Sequence, residues 1–245
     1  MIPSPEQEFG TLDCCEILQA MRHGAMQPVL CRAEDELRYV VKPFCSGGNW
    51  PLAMEWAGAR LGRSLGLPVP NYRVVDIGEE LAEAWNASHI RQIEAGPGFG
   101  SQMIDNAIEP TESLLAEMDP ALARRLLAFD WWMQNRDRTI KNPNLLWSAA
   151  ARAFHVIDHD QAGQPDGVDL FWSLHVCASR KAGEAVWLPA DLRAEFRDAL
   201  SRLGPSLSAE LPSAWTSRGE DVDSFLARLA RTLDDNPHED WRIYD

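Results

Sequence analysis

Residues 135–146 read NRDRTIKNPNLL, and residues 156–160 read VIDHD. Asp137 and Asn142 lie in the first, polar segment, and Asp158 follows a short apolar run in the second. The apolar runs between the two segments predict a hairpin that returns Asp158 toward the first segment. A carboxylate can orient an attacking hydroxyl, and amide and carboxylate oxygens can hold magnesium on phosphates. The three side chains are therefore candidates for a phosphoryl-transfer site.

Upstream of this segment, the first hundred residues predict a small sheet with one main helix. Alternating apolar residues indicate strands, and apolar residues at helical spacing indicate the helix. The breaker-rich segment 96–98 is interpreted as the opening of the last strand. Strands are predicted at 28–32, 37–42, 72–77 and 99–104, and the helix at 51–65.

The second half of the chain predicts mainly helices with one embedded hairpin. Asp119 before Pro120 is typical of a helix N-cap followed by proline in the first turn. The fold class is therefore α+β, with a β-rich part at 1–105 and a mainly helical part at 106–245. The predicted elements of the second part are helices at 122–133, 192–203 and 222–233, and hairpin strands at 144–147 and 153–157.

The composition of the chain argues against some classes of function. The chain has 245 residues, a net charge of −14 and a pI near 4.8, so a surface that neutralises nucleic-acid phosphates is not expected. Five cysteines without a paired spacing favour reduced thiols and a cytoplasmic location. Glu6 and Glu8 argue against a basic targeting segment, and no apolar run is long enough to span a membrane. We expect neither nucleic-acid nor membrane partners.

The spacing of Asp137 and Asn142, with Asp158 beyond them, resembles the HipA-like kinases, a family related to the bacterial serine/threonine kinase toxin HipA. The resemblance covers most of the chain. It implies a bilobal protein-kinase-like fold with a small β-rich N-lobe, and ATP and Mg²⁺ as cofactors. It also implies that Asp137 acts as the base or positions the nucleophile, while Asn142 and Asp158 hold the metal.

The same resemblance assigns residues in the first part of the chain. Lys42, at the end of a strand, would contact phosphates, and its partner carboxylate would be Glu55 on the following helix. Gly24 would begin a short phosphate-covering loop, and the adenine would lie near Met103 and Ile104. The sequence departs from general protein kinases because it lacks GxGxxG, HRD, DFG and APE motifs. It is also shorter than the HipA toxins with their additional N-terminal domain, so toxicity and an antitoxin partner do not follow.

Several alternatives stay open on the sequence. The acceptor is a protein Ser or Thr hydroxyl or a small-molecule alcohol, since the fold does not fix the substrate. A nucleotide-binding protein without turnover is a second class. The third is a metal-dependent hydrolase built on His155, Asp158, His159 and Asp160.

Other polar residues near the motif have a structural interpretation. Asp130 lies in an apolar helix end and needs hydrogen-bond partners if it is buried, which predicts that it braces the loop after it. His155 is interpreted as a core histidine, and Asp160 as a strand-ending residue in preference to a second magnesium ligand. Arg136 and Arg138 would offset carboxylates or steer phosphates, and neither is given a role.

Overall fold

The computed structural model describes residues 10–21, 26–163, 174–178, 190–216 and 221–234. Gly24 lies outside these residues. The chain separates into two compact units, which are treated one at a time below. The first unit comprises Met1–Trp56, Pro70–Asp105 and Glu210–Glu220, and the second comprises Ala57–Val69, Asn106–Ala209 and Asp221–Asp245. The division into an N-lobe and a C-lobe at residue 105 stays a prediction.

A five-stranded closed barrel forms the centre of the first unit. Its strand order is β1-β2-β3-β5-β4; the neighbouring strands are antiparallel except for the parallel pair β1 and β4, which closes the barrel. Closure pairs the backbone groups that an open sheet would leave at its edges. The strands are β1 (Thr11–Ala20), β2 (Val29–Ala33), β3 (Arg38–Lys42), β4 (Tyr72–Ile77) and β5 (Gly96–Gln102).

Strand β5 begins earlier than the sequence predicts. Segment 96–98 is part of the strand instead of a break before it, because glycine permits close backbone contact there. A Cβ on Gly98 would lie 2.7 Å from the Lys42 carbonyl oxygen, and one on Gly100 would lie 2.5 Å from Cγ2 of Val75. Glycine at these positions thus serves the packing of the barrel.

Two helices accompany the barrel, where the sequence predicted one. Helix α1 (Trp50–Ser64) coincides closely with the predicted helix. Helix α2 (Glu79–Ser88) was missed because it buries only Ala82 and Trp85 and so shows little helical periodicity. Strand β1 was missed for a similar reason, since most of its side chains are exposed.

The second unit contains helices and one hairpin, as the pattern predicts. Asp119 caps its helix by accepting a hydrogen bond from the Leu122 backbone N–H at 2.9 Å. The hairpin pairs Leu145 with Val156 at its open end. The elements are α3 (Glu112–Ala116), α4 (Pro120–Trp132), β6 (Leu145–Ser148), β7 (Ala153–Val156), α5 (Ala190–Glu210) and α6 (Val222–Asp234). None of the described helices combines the length and apolar character that crossing a bilayer requires.

Candidate functional site

The hairpin of the second unit returns Asp158 to the polar segment that precedes β6. Beyond the β6–β7 ladder, the Ile157 backbone N–H donates to the carbonyl of Asn144 at 3.1 Å. Asp158 then leaves the strand with a φ of 65°, a left-handed conformation that is uncommon for a residue with a side chain. The backbone just before Asp158 therefore lies beside Asn144, at the end of the segment that carries Asp137 and Asn142.

Two side-chain amides orient the Asp137 carboxylate. Its Oδ2 accepts hydrogen bonds from Nδ2 of Asn142 at 2.7 Å and from Nδ2 of Asn144 at 3.0 Å. The structure thus brings Asp137 and Asn142 together, and it adds Asn144, which the sequence analysis did not assign. The only signal for Asn144 was its place after Pro143 in the NPN motif.

A tight turn holds Asn142 in this position. The Thr139 backbone N–H donates to the Asn142 carbonyl at 2.9 Å, and the Asn142 N–H donates to the Thr139 hydroxyl at 3.2 Å. Asn142 is exposed, while Asp137 and Asp158 are half-buried. The predicted chemical groups therefore remain accessible from solvent.

A buried guanidinium connects the parts of this loop. Arg138 is fully buried and donates from Nε to Oδ2 of Asp130 at 2.7 Å. Its Nη1 donates to the carbonyls of Asn144, of Pro143 at 3.4 Å and of Ile157 at 3.0 Å. One side chain thereby fixes the backbone on both sides of the hairpin, just before β6 and at the residue that precedes Asp158.

Asp130 is the anion at the centre of this buried cluster, which confirms that it needs partners. Burial opposes its ionisation, but Arg138 and His175 outweigh burial and hold the pKa of Asp130 below its ordinary value. The His175 ring lies with Nε2 3.0 Å from Oδ2 of Asp130, and Asn135 donates to Oδ1 at 3.2 Å. Because the Cys177 N–H donates to Nδ1 of His175, the ring proton of a neutral imidazole resides on Nε2, facing Asp130.

The histidines near Asp158 are arranged for packing. His159 is buried, and its ring meets Phe129 edge-on at 6.0 Å. His155 lies half-buried on β7, where burial lowers its pKa. Among the residues that the structure describes, no cluster of three potential metal ligands contains a histidine. The hydrolase built on these histidines stays an untested alternative.

The first unit brings Lys42 and Glu55 together as a buried ion pair. Nζ of Lys42, at the end of β3, contacts Oε1 of Glu55 on α1, and their side chains are only 13% and 2% exposed. The β3–β5 register places Lys42 opposite Phe99. The lysine is therefore held both by its strand neighbours and by a carboxylate.

The predicted adenine-contacting residues follow β5. The Met103 backbone N–H donates to the Arg38 carbonyl at 2.8 Å, so the chain continues beside β3 beyond the strand end. Met103 and Ile104 are both partly buried. Contact with adenine stays a prediction for these residues, and so does the role of Gly24.

Comparisons with known proteins found a matching family model and similar solved structures. A family model described as "HipA-like kinase" matches residues 14–243. The crystal structure of the Helicobacter pylori proinflammatory kinase CtkA has a TM-score of 0.51 at 12% identity, covering 92% of this chain and 93% of that one. The structure of a Golgi casein kinase with Mn/ADP bound has a TM-score of 0.45 at 13% identity, covering 91% and 72%. The comparison with curated proteins gave no match.

Proposed function

The chain belongs to the HipA-like kinase family, and from that premise we propose that it transfers the γ-phosphoryl group of ATP to a hydroxyl group. The acceptor that we propose is a Ser or Thr side chain of a protein. The observation that carries the proposal is the Asp137 carboxylate, oriented by Asn142 and Asn144 in an accessible loop.

Asp137 is proposed to orient the acceptor hydroxyl and to take its proton. Both amides bind Oδ2, which leaves Oδ1 as the oxygen that we assign to the hydroxyl. As the phosphoryl group transfers, the bond between the γ-phosphorus and the bridging oxygen of ATP breaks and ADP leaves, while the new O–P bond to the acceptor forms and the acceptor O–H proton passes to the carboxylate. Fixing the carboxylate in advance reduces the reorganisation that the reaction requires.

The donor set of the second unit fits a divalent cation. Because Nδ2 of Asn142 donates to Asp137, Oδ1 of the same amide is directed away from that carboxylate. An amide oxygen and the Asp158 carboxylate are the hard oxygen ligands that Mg²⁺ prefers. Magnesium bound to them would neutralise phosphate charge during transfer.

The ion pair of the first unit is proposed to serve the nucleotide phosphates. Glu55 holds the Lys42 ammonium in one place, and an ammonium fixed in this way can bind phosphate oxygens without losing further side-chain freedom. Gly24 is proposed to begin the phosphate-covering loop, and Met103 and Ile104 to line the adenine site.

Radiolabelled ATP with magnesium tests this function in the purified protein, with and without cell extract. We expect transfer of label in the wild type and a loss of about a thousandfold in Asp137→Asn, in line with the usual contribution of an acid–base group. Asp158→Asn should also abolish most of the transfer, because it removes a charged oxygen ligand proposed for Mg²⁺. Asp198→Asn is the matched control, because Asp198 is an exposed residue of α5 paired with Arg202.

Each outcome distinguishes a class of function. Label on protein in the extract would support the Ser/Thr acceptor, whereas label on a small molecule would replace it by a metabolite alcohol. ATP binding without transfer under any condition would indicate a nucleotide-binding protein without turnover. Absence of both binding and transfer would contradict the proposed function.

A further inference from the structure

Residues 210–216, which begin at the last residue of α5 and lead toward α6, belong to the first unit. The segment includes a 3₁₀ turn at Ser213–Trp215. Trp215 is 2% exposed, so its indole is almost completely enclosed. A tryptophan buried in this way removes a large apolar area from water and normally needs a partner for its N–H group. Its partners connect it to α1, which carries Glu55, and to β5, the strand that pairs with the strand of Lys42.

The first connection is to the middle of α1. The Trp215 ring meets the Trp56 ring edge-on at 6.2 Å, and Trp56 directly follows Glu55. Nε1 of Trp56 donates to Oε2 of Glu210 at 3.2 Å. The helix that presents Glu55 is therefore held from both ends of the 210–216 segment.

A further contact fixes the first turn of the same helix. Nδ2 of Asn49 donates to the Ala214 carbonyl at 3.2 Å. The Asn49 carbonyl in turn accepts the Leu52 N–H at 2.9 Å, and its Oδ1 accepts the Cys45 N–H at 2.8 Å. Asn49 thus connects the segment to the loop between β3 and α1.

The second connection is to the strand beside Lys42. Nε1 of Trp215 donates to the Pro97 carbonyl at 2.7 Å. Pro97 lies on β5, the strand on which Phe99 pairs with Lys42. The next residue, Gly98, packs closely against β3, because a Cβ added to it would lie 2.7 Å from the Lys42 carbonyl oxygen. The indole therefore joins β5 to α1 through one side chain.

We propose that Trp215 is a positioning residue for the Lys42–Glu55 ion pair, so that the 210–216 segment sets how the chain holds nucleotide phosphates. The proposal rests on the proposed function. An ion pair between two separate elements depends on their alignment, because both its Coulomb energy and its hydrogen bond weaken as the groups separate. Trp215 contributes to that alignment without contacting substrate.

Trp215→Phe tests the proposal, because phenylalanine keeps a buried ring but removes the N–H donor. Trp85→Phe is the matched control: Trp85 is also a buried tryptophan of the first unit, and its Nε1 donates to the Arg91 carbonyl at 3.1 Å. Amide hydrogen exchange at residues 50–56 reports on α1 without any need for activity. We expect faster exchange there in Trp215→Phe, and a fall of about fivefold in kcat/KM for ATP, as for one lost hydrogen bond.

A double-mutant cycle tests whether Trp215 affects kcat/KM through the Lys42–Glu55 ion pair. If Trp215 acts through the ion pair, Trp215→Phe should have little further effect on kcat/KM in a Glu55→Gln background. Asn49→Asp provides a second variant, since it removes the donor to Ala214 while keeping the Oδ1 acceptor. We expect it to change exchange at residues 50–56 in the same direction.

Unchanged exchange at residues 50–56 in Trp215→Phe would overturn the proposal whether or not the protein is a kinase. Equal effects of Trp215→Phe and Trp85→Phe on exchange and kinetics would also overturn it, because they would indicate general loss of stability. If the effects of Trp215→Phe and Glu55→Gln on kcat/KM are fully additive, Trp215 does not act through the ion pair. Faster exchange in a protein that never transfers phosphate would support bracing of α1 and contradict the proposed function.

Discussion

The two units hold their candidate site residues by different means. In the first unit, a buried lysine and a buried glutamate on separate elements pair by charge. In the second, Asp137 is oriented by Asn142 and Asn144 from its own loop. A pair formed between elements depends on how a barrel and a helix are aligned, whereas a loop that binds itself depends on its local backbone conformation.

The candidate site residues of the two units also differ in how deeply they are buried. Glu55 is 2% exposed in its side chain, while Asn142 is exposed to solvent. A change to a buried ion pair affects folding and chemistry together, because a partner left behind is poorly solvated. A change to an exposed amide should affect chemistry with little loss of stability. The second unit also contains a buried charge pair, formed by Arg138 and Asp130.

The largest expected effect is on stability, in Arg138→Met. Removing the guanidinium leaves the buried Asp130 carboxylate poorly compensated, so the free energy of unfolding should fall by about 3–5 kcal/mol, measured by urea unfolding at pH 7. Arg202→Met is the control, since Arg202 forms an exposed i,i+4 pair with Asp198; its cost should stay below about 0.5 kcal/mol. Equal costs would contradict a special role for the buried arginine.

The difference in unfolding free energy between wild type and Arg138→Met should depend on pH. The pKa of Asp130 is lowered in the folded protein, so its ionisation stabilises the fold above the unfolded pKa of about 3.9, and this contribution is lost as the pH falls through the folded value. The stability difference between wild type and Arg138→Met should therefore be greatest near neutrality and narrow below about pH 4. A difference that is constant with pH would show that charge is not its cause.

The next effect is on activity, in Lys42→Met. We expect phosphoryl transfer to fall on the order of a hundredfold, the usual loss for one electrostatic donor to the transition state. Because Glu55 loses this cation, the free energy of unfolding should fall as well. Asn142→Ala should lower activity with no comparable loss of stability. Steady-state kinetics and urea unfolding of the two variants would test whether only the first unit couples stability to chemistry.

The smallest expected effect tests whether the candidate site of the second unit depends on helix packing as well as on hydrogen bonds within its own loop. A Cβ on Gly58 of α1 would lie 2.5 Å from Cβ of the buried His159. Gly58→Ala should therefore displace the segment around Asp158 and cost about 1–3 kcal/mol of stability. Gly204→Ala in α5 is the control, since its nearest neighbours lie at 3.9 and 4.0 Å. A fall in kcat only in Gly58→Ala would show that helix packing also positions the loop.

Local patterns in the sequence predicted the elements that carry the candidate site. The hairpin that returns Asp158, the cap at Asp119 and helix α1 all follow from spacing and turn chemistry over a few residues. Strand β1 and helix α2 were missed because exposed or sparsely buried elements show weak periodicity. The predicted start of β5 was wrong, because glycine occurs both where strands are interrupted and where two backbones pack closely.

By itself, the sequence determined the family of the chain and the chemical types in its candidate site, because Asp137, Asn142 and Asp158 lie within one short stretch. Only the tertiary structure decided what holds that site. Arg138 carries no signal of burial in the sequence, yet it bonds to Asp130 and to three carbonyls. Likewise, Trp215 and Pro97 lie far apart in sequence and meet through a single hydrogen bond. Such contacts depend on how the elements pack, and local spacing carries no information about that packing.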